Sequence, residues 1–131
     1  MGTIKNGKRL APKHIKQTEY DLKRAENSLK DKDFKWATAQ AYYSMFNCAK
    51  ALLLYEDITE KNSHACLIAA VKELYVAQKR LDITFVEVLW LAKDLREEAN
   101  YKNNWDEKSA EKLVKKAKEF IGKAKQIIRN G

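Results

Sequence analysis

Apolar residues recur at steps of three and four along most of this chain, the spacing that gathers them on one face of a helix. From about 14 to 31, Ile15, Thr18, Leu22, Ala25 and Leu29 mark a single narrow stripe on an otherwise polar helix. The next stretch, about 34 to 55, differs in kind. Trp36, Ala39, Tyr42, Tyr43, Met45, Phe46, Ala49, Leu52 and Leu53 surround most of its girth and leave a thin polar line of Gln40, Ser44 and Asn47. A helix apolar on nearly all sides belongs at the centre of a domain.

Residues 56 to 62 read as a loop, and Ser63 is placed to cap a third helix with the stripe Leu67, Ile68, Val71, Leu74 and Tyr75. Asp82 suits the cap of a fourth, which turns Phe85, Val88, Leu89, Ala92 and Leu95 inward. Asn104 followed by Glu107 resembles a capping box before a last helix, where Leu113, Val114, Ala117, Phe120, Ile121, Ala124, Ile127 and Ile128 repeat at helical spacing. Residues 1–13 carry Lys5, Lys8, Arg9 and Lys13 with no acidic residue and end near Pro12, which predicts a mobile basic arm ahead of one compact domain over 14–131.

The class that follows is all-α, an antiparallel bundle of about five helices. With four glycines and one proline in 131 residues, strands and hairpins have little punctuation to work with. No run of about eighteen apolar residues occurs and no signal-peptide core is visible, so a cytoplasmic protein is expected. Cys48 and Cys66 both lie in apolar helical stretches, which suits buried thiols in a reducing compartment. His14 and His64 are far apart, so no ligand spacing emerges, and neither a metal nor another cofactor is expected.

The formal net charge of +8 suits either nucleic acid or an acidic partner, or simply a solvated lysine-rich surface. Between 106 and 129 eight basic residues face four acidic ones, but no aromatic residues are interleaved on that polar face. Binding there would be electrostatic and salt-sensitive, without base stacking.

Arg96 changes the picture most. At about 100° per residue it falls within about 20° of Phe85 and Leu89, in the middle of an apolar stripe. A guanidinium keeps its charge, so this position requires a partner: a carboxylate or carbonyl inside the bundle, or a ligand or second protein. Asn100 and Asn103 continue the stripe as it turns polar, an arrangement suited to a cleft or a subunit contact. His64 opens the third helix in line with Leu67, Ile68 and Val71, either as a proton-transfer group or as a histidine packed at a helix end. Ser44, Asn47 and Lys50 form a hydrophilic edge beside Tyr43, either a ligand contact or a solvated edge. No nucleophile elbow, phosphate-binding glycine loop or His-Glu-x-x-His pattern is present.

Within the central helix, Ala41-Tyr42-Tyr43-Ser44-Met45-Phe46-Asn47-Cys48-Ala49-Lys50-Ala51-Leu52-Leu53 resembles the Ala-Tyr-Tyr-x-Met-Phe-x-x-Ala-Lys-Ala-Leu-Leu signature of HEPN domains, named for higher eukaryotes and prokaryotes nucleotide-binding. Ser63-His64, Leu95-Arg96-Glu97-Glu98-Ala99-Asn100-Tyr101 and Ala117 to Phe120 are similar to later family motifs and occur in the same order. The resemblance implies a helical bundle, a homodimer, and prokaryotic relatives paired with a minimal nucleotidyltransferase in toxin–antitoxin-like systems. Several family members are metal-independent RNases that use an arginine and a histidine four to six residues later. Arg96 fits that arginine, but no histidine follows His64; Tyr101 stands five residues on, and Asn100 replaces the usual aspartate. A tyrosine with a pKa near 10 shuttles protons poorly at neutral pH, so the departure argues against nuclease activity.

Three readings remain at this point. The first is a non-catalytic binding subunit that engages a nucleotidyltransferase, a nucleotide or RNA through a cleft at Arg96, Asn100, Tyr101, His64, Tyr43, Asn47 and Lys50. The second is an RNase using Arg96 with Tyr101 or His64. The third is a plain dimerising scaffold in which Arg96 is an internal strut.

Overall fold

The computed structural model describes residues 2–3, 7–59, 64–103 and 105–130, with backbone only at 2, 3, 59, 64, 100, 101 and 130. Among them are five α-helices: α1 (Gly7–Lys30), α2 (Phe34–Tyr55), α3 (His64–Val71), α4 (Ile83–Tyr101) and α5 (Glu107–Asn130). None is long and apolar enough to cross a membrane. Hydrogen bonding widens to a π-helical turn over Lys72–Val76 as α3 ends. A short antiparallel pairing joins β1 (Gly2–Thr3) to β2 (Ile58–Thr59), with Gly2 opposite Thr59. The all-α bundle is therefore as the periodicity predicts.

The inward stripes meet around α2, which packs against α1, α5, α4 and α3. Tyr42, Met45, Leu52 and Leu53 of α2, Leu67 and Ile68 of α3, Leu89 of α4, and Leu113 and Phe120 of α5 are fully buried in one core. Small residues allow this approach: Ala37, Ala41, Ala49 and Ala51 on α2, Ala25 on α1, and Ala117 and Ala124 on α5 have no exposed surface. Phe85 and Phe120 cross edge to face at 5.8 Å, joining α4 to α5.

Helix α1 starts at Gly7, seven residues before the periodicity begins, so Lys8, Arg9 and Lys13 lie in a helix and not in a mobile arm. Pro12 is the sixth residue of α1, so its missing N–H costs the helix one bond, to the Lys8 carbonyl. Two contacts offset that loss. The Lys8 N–H donates to Asp57 Oδ1 at 2.8 Å, and Ala11 buries itself beside Leu54, Tyr55 and Ile128. The Lys8 ammonium also sits 4.6 Å over the Tyr55 ring.

Caps follow the ends of the helices. Asp33 accepts from the Trp36 N–H at 3.3 Å, and Asp82 from the Thr84 N–H at 2.9 Å, as expected for the fourth helix. For α5 the cap is Asp106, whose carboxylate accepts from the Ser109 N–H at 2.6 Å. Asn104 and Ser63, the capping residues expected from the sequence, lie outside the described residues. Backbone and side-chain hydrogen bonds from Thr84 and Ser109 hold the Asp82 and Asp106 carboxyls below their usual range. A lowered folded-state pKa means that both caps stabilise the fold above the ordinary aspartate range and lose that contribution as pH falls through it.

Thr18 sits in the stripe as expected, with no exposed surface, and among the described residues its hydroxyl has no hydrogen-bond partner. Thr18→Val keeps the shape and removes the stranded group, so thermal denaturation should show a gain of about 1 kcal/mol. Cys48 is buried, and desolvation pushes its thiol far above the usual range, but Cys66 faces outward, contrary to expectation.

The backbone also places residues against their preferences. Lys32 and Lys79 adopt left-handed φ values of 61° and 60° at helix ends closed by paired bonds, Asp33 N–H to the Ser28 carbonyl with Lys32 N–H to Leu29, and Arg80 N–H to Tyr75 with Lys79 N–H to Val76. Gly122, conversely, lies inside α5, and a Cβ built there meets nothing within 4 Å. Lys32→Gly and Gly122→Ala should each raise stability by about 0.5–1 kcal/mol in urea titrations, the first by relieving the left-handed strain and the second by restricting the unfolded chain.

Candidate functional site

The outward line of α2 is the key to the site. Between 36 and 55 the only positions not buried are Trp36, Gln40, Tyr43, Asn47 and Lys50. Their alternating steps of four and three keep them on one face, and at about 1.5 Å per residue they run for about 21 Å. Ser44, expected on this edge, is instead buried and donates to the Ala41 carbonyl at 2.8 Å. Trp36, expected on the apolar girth, and Tyr43, expected both there and in the candidate cleft, are 57% and 42% exposed. Steps of three and four lead from Gln40 to Asn47 through either Tyr43 or Ser44, so spacing alone does not separate the two.

Helices α1 and α4 flank this line. On the α1 side Asn47 donates to Asp21 Oδ2 at 2.9 Å, and Gln17 donates to Asp21 Oδ1 at 3.3 Å. With its amide nitrogen turned toward Ser28, Gln40 donates to Ser28 Oγ at 2.6 Å and to the carbonyls of Arg24 and Trp36 at 3.1 and 3.3 Å. Arg24 and Asp21 join Trp36, Gln40 and Tyr43 around a depression of about 190 Å³.

On the α4 side, Leu89, Ala92, Arg96 and Ala99 follow one stripe in which the other three are buried. The Arg96 guanidinium therefore leaves the inner face of α4 and lies over α2. Its carbon is 5.0 Å from the Tyr42 ring centroid and 5.6 Å from that of Tyr43, and Nη2 donates to the Tyr43 hydroxyl over 3.4 Å. Tyr42 is fully buried against Phe46 at 4.6 Å, so the ring beneath Arg96 is held firmly. Aromatic faces, which carry negative electrostatic potential, thus partner a cation for which a carboxylate or carbonyl seemed the natural choice. Lys93 bonds Glu97 at 2.6 Å and is the main cause of the low pKa of that carboxyl, with Arg96 adding to it.

The structure thus brings Arg96 to Tyr43, while Asn47 turns toward α1 and Lys50 lies farther along the exposed line. His64 opens α3, and Asn100 and Tyr101 close α4, but their side chains lie outside the described residues. Asn103, with φ of 52°, accepts from Lys35 Nζ at 3.4 Å, and the same ammonium lies 5.4 Å over Trp105. Neither this pair nor the Arg24–Tyr20 stack at 5.8 Å was foreseen from the sequence, because each joins separate helices or turns or lies on a polar face.

The HEPN domain family model matches residues 11–127. The chain is 32% identical over 123 residues to "Putative toxin MJ0142" of Methanocaldococcus jannaschii, covering 92% of this chain and 83% of that protein. It is 28% identical over 116 residues to "Putative toxin MJ0605" of the same organism, covering 88% of this chain and 86% of that one. Order of helices, the Tyr-Tyr pair beneath Arg96 and near end-to-end similarity agree: this chain belongs to the HEPN domain family.

Proposed function

We propose that the chain is a toxin-like HEPN protein that acts by binding, as a homodimer, and that its Arg96–Tyr43 surface engages a nucleotidyltransferase partner. The observation that carries this reading is the Arg96 guanidinium itself, stacked on Tyr42 and Tyr43 at the lip between α2 and α4 with an exposed ring beside it. Arginine on aromatic rings is a frequent anchor of protein interfaces, because its plane offers several donors at little entropic cost. The names of the two relatives support the toxin-like part, and the family resemblance supports the partner. Ile83 and Trp90 give the outer face of α4 an apolar patch that suits a second copy. Binding is favoured over RNA cleavage because no histidine follows Arg96 to move a proton.

The test is capture of a minimal nucleotidyltransferase from the same organism, co-expressed with the tagged chain. Wild type should retain it and Arg96→Ala should not, with equal helicity of the two proteins. Unchanged capture by Arg96→Ala refutes the site, and metal-free cleavage of single-stranded RNA by wild type replaces the reading with that of an RNase.

A further inference from the structure

Two basic stretches without a carboxylate meet in space. No Asp or Glu precedes Glu19 and none follows Glu119, so the first turns of α1 carry Lys8, Arg9, Lys13 and Lys16, and the last turns of α5 carry Lys123, Lys125 and Arg129. The two helices run antiparallel here: Lys125 Nζ donates to Glu19 Oε2 at 3.0 Å, and Ile128 packs beside Ala11. Between them lies a groove of about 340 Å³. Its floor is Ile15, buried, and Ile128, half-buried, with Pro12 at one end, while Lys16 and Arg129 stand exposed at the rim. Glu19 is the one carboxylate lining the groove, and Lys125 already neutralises it. Among the described residues neither Lys16 nor Arg129 has an ion-pair partner. Asp57, which meets the start of α1, is engaged by the Lys8 N–H.

We infer that this groove seats an acidic amphipathic helix of a partner protein, its apolar ridge lowered onto Ile15 and Ile128 and its carboxylates meeting Lys16 and Arg129. Gathering like charges costs the isolated fold self-repulsion, which an anionic partner relieves. From Pro12 to Glu19 the groove runs about 10 Å at about 1.5 Å per residue, the length of two helical turns, so two apolar side chains one turn apart on the partner fill it. Other occupants match only half of this surface. A flat anionic membrane meets the exposed cations but not the isoleucines recessed between them, whereas a ridge of side chains reaches both. A second copy brings the same surplus of positive charge, and its Glu19 is already bridged to Lys125. The lysine face of α5, formed by Lys108, Lys112, Lys115 and Lys116 around Glu111, has charge without an apolar floor.

The groove contains no residue of the Arg96 surface, so it lies beyond the partner reading and fails or stands without it. The test is a nitrogen-15 NMR titration of the full chain with a synthetic peptide of about fourteen residues, in which leucines recur at helical spacing among glutamates and alanines. Amide shifts should saturate and centre on Ile15, Lys16, Ile128 and Arg129. Lys16→Glu combined with Arg129→Glu, both at exposed positions, should weaken binding at least about tenfold. Lys112→Glu combined with Lys115→Glu makes the same change of net charge elsewhere on α5 and should bind within about twofold of wild type. A peptide with serine in place of every leucine should bind at least about tenfold more weakly than the leucine peptide. No saturation by about 1 mM, equal losses in the two double variants, or equal binding of the serine peptide overturns the proposal. Phosphatidylserine vesicles that bind through Lys16 and Arg129 when the peptide does not would make the groove a lipid contact, and self-association lost only in the Lys16→Glu and Arg129→Glu double variant would assign it to a second copy. Either result also overturns the proposal.

Discussion

Phe120→Ala is expected to remove about 3–5 kcal/mol of folding stability, a large share of the 5–15 kcal/mol typical of a domain this size. The ring is 1% exposed and sits where α5 meets the core, edge to face with Phe85 of α4. Truncation loses the transfer energy of the ring and leaves a cavity. That cavity is slow to collapse, because the small residues nearby, Ala117 and Ala124, are already buried and have no side chain with which to fill it. The shift should appear in the urea midpoint with little change in slope. Trp36→Ala on the same assay should move stability by less than about 1 kcal/mol, since its ring is mostly in water. A Phe120→Ala loss under about 1 kcal/mol would mean that α5 is not packed on α4 as described.

The contrast between Phe120 and Trp36 also shows which parts of the molecule are legible in sequence. Phe120, Leu113, Ala117 and Ala124 announce burial because their spacing keeps one face apolar while lysines and glutamates fill the other. On α2 that contrast is missing. Nearly every residue is apolar, so periodicity cannot tell which aromatic faces water, and Trp36 reads as part of the buried girth although it is mostly exposed. The site was half legible for the same reason. Arg96 stands out as a charge on an apolar stripe, but the rings it stacks on belong to a helix distant in sequence, and no local pattern encodes that contact. Likewise the first turns of α1 depend on Asp57 and Leu54, so composition alone suggested a mobile arm.

Arg96→Ala is expected to weaken partner binding by about thirtyfold or more, the scale of a 2 kcal/mol interface anchor, while folding stability falls by only about 1 kcal/mol. The two numbers differ for a physical reason. In the isolated protein the Tyr42 and Tyr43 rings give a partly solvated cation the modest attraction of an aromatic face, and truncating Arg96 removes the charge itself and uncovers part of both rings. In a complex the same group is desolvated further, and every donor it directed at the partner is lost with it. Tyr43→Phe keeps the ring and removes a hydrogen bond already stretched to 3.4 Å, so it should bind nearly as wild type; Tyr43→Ala should follow Arg96→Ala. Arg96→Lys distinguishes charge from shape. An ammonium keeps the charge but not the stacked plane, so it should restore stability more fully than binding. Full binding by Arg96→Lys would reduce the site to electrostatics. A stability loss above about 4 kcal/mol in Arg96→Ala would make this residue a strut of the bundle, because only a charge and its partners committed to the folded core produce so large a cost when one is removed.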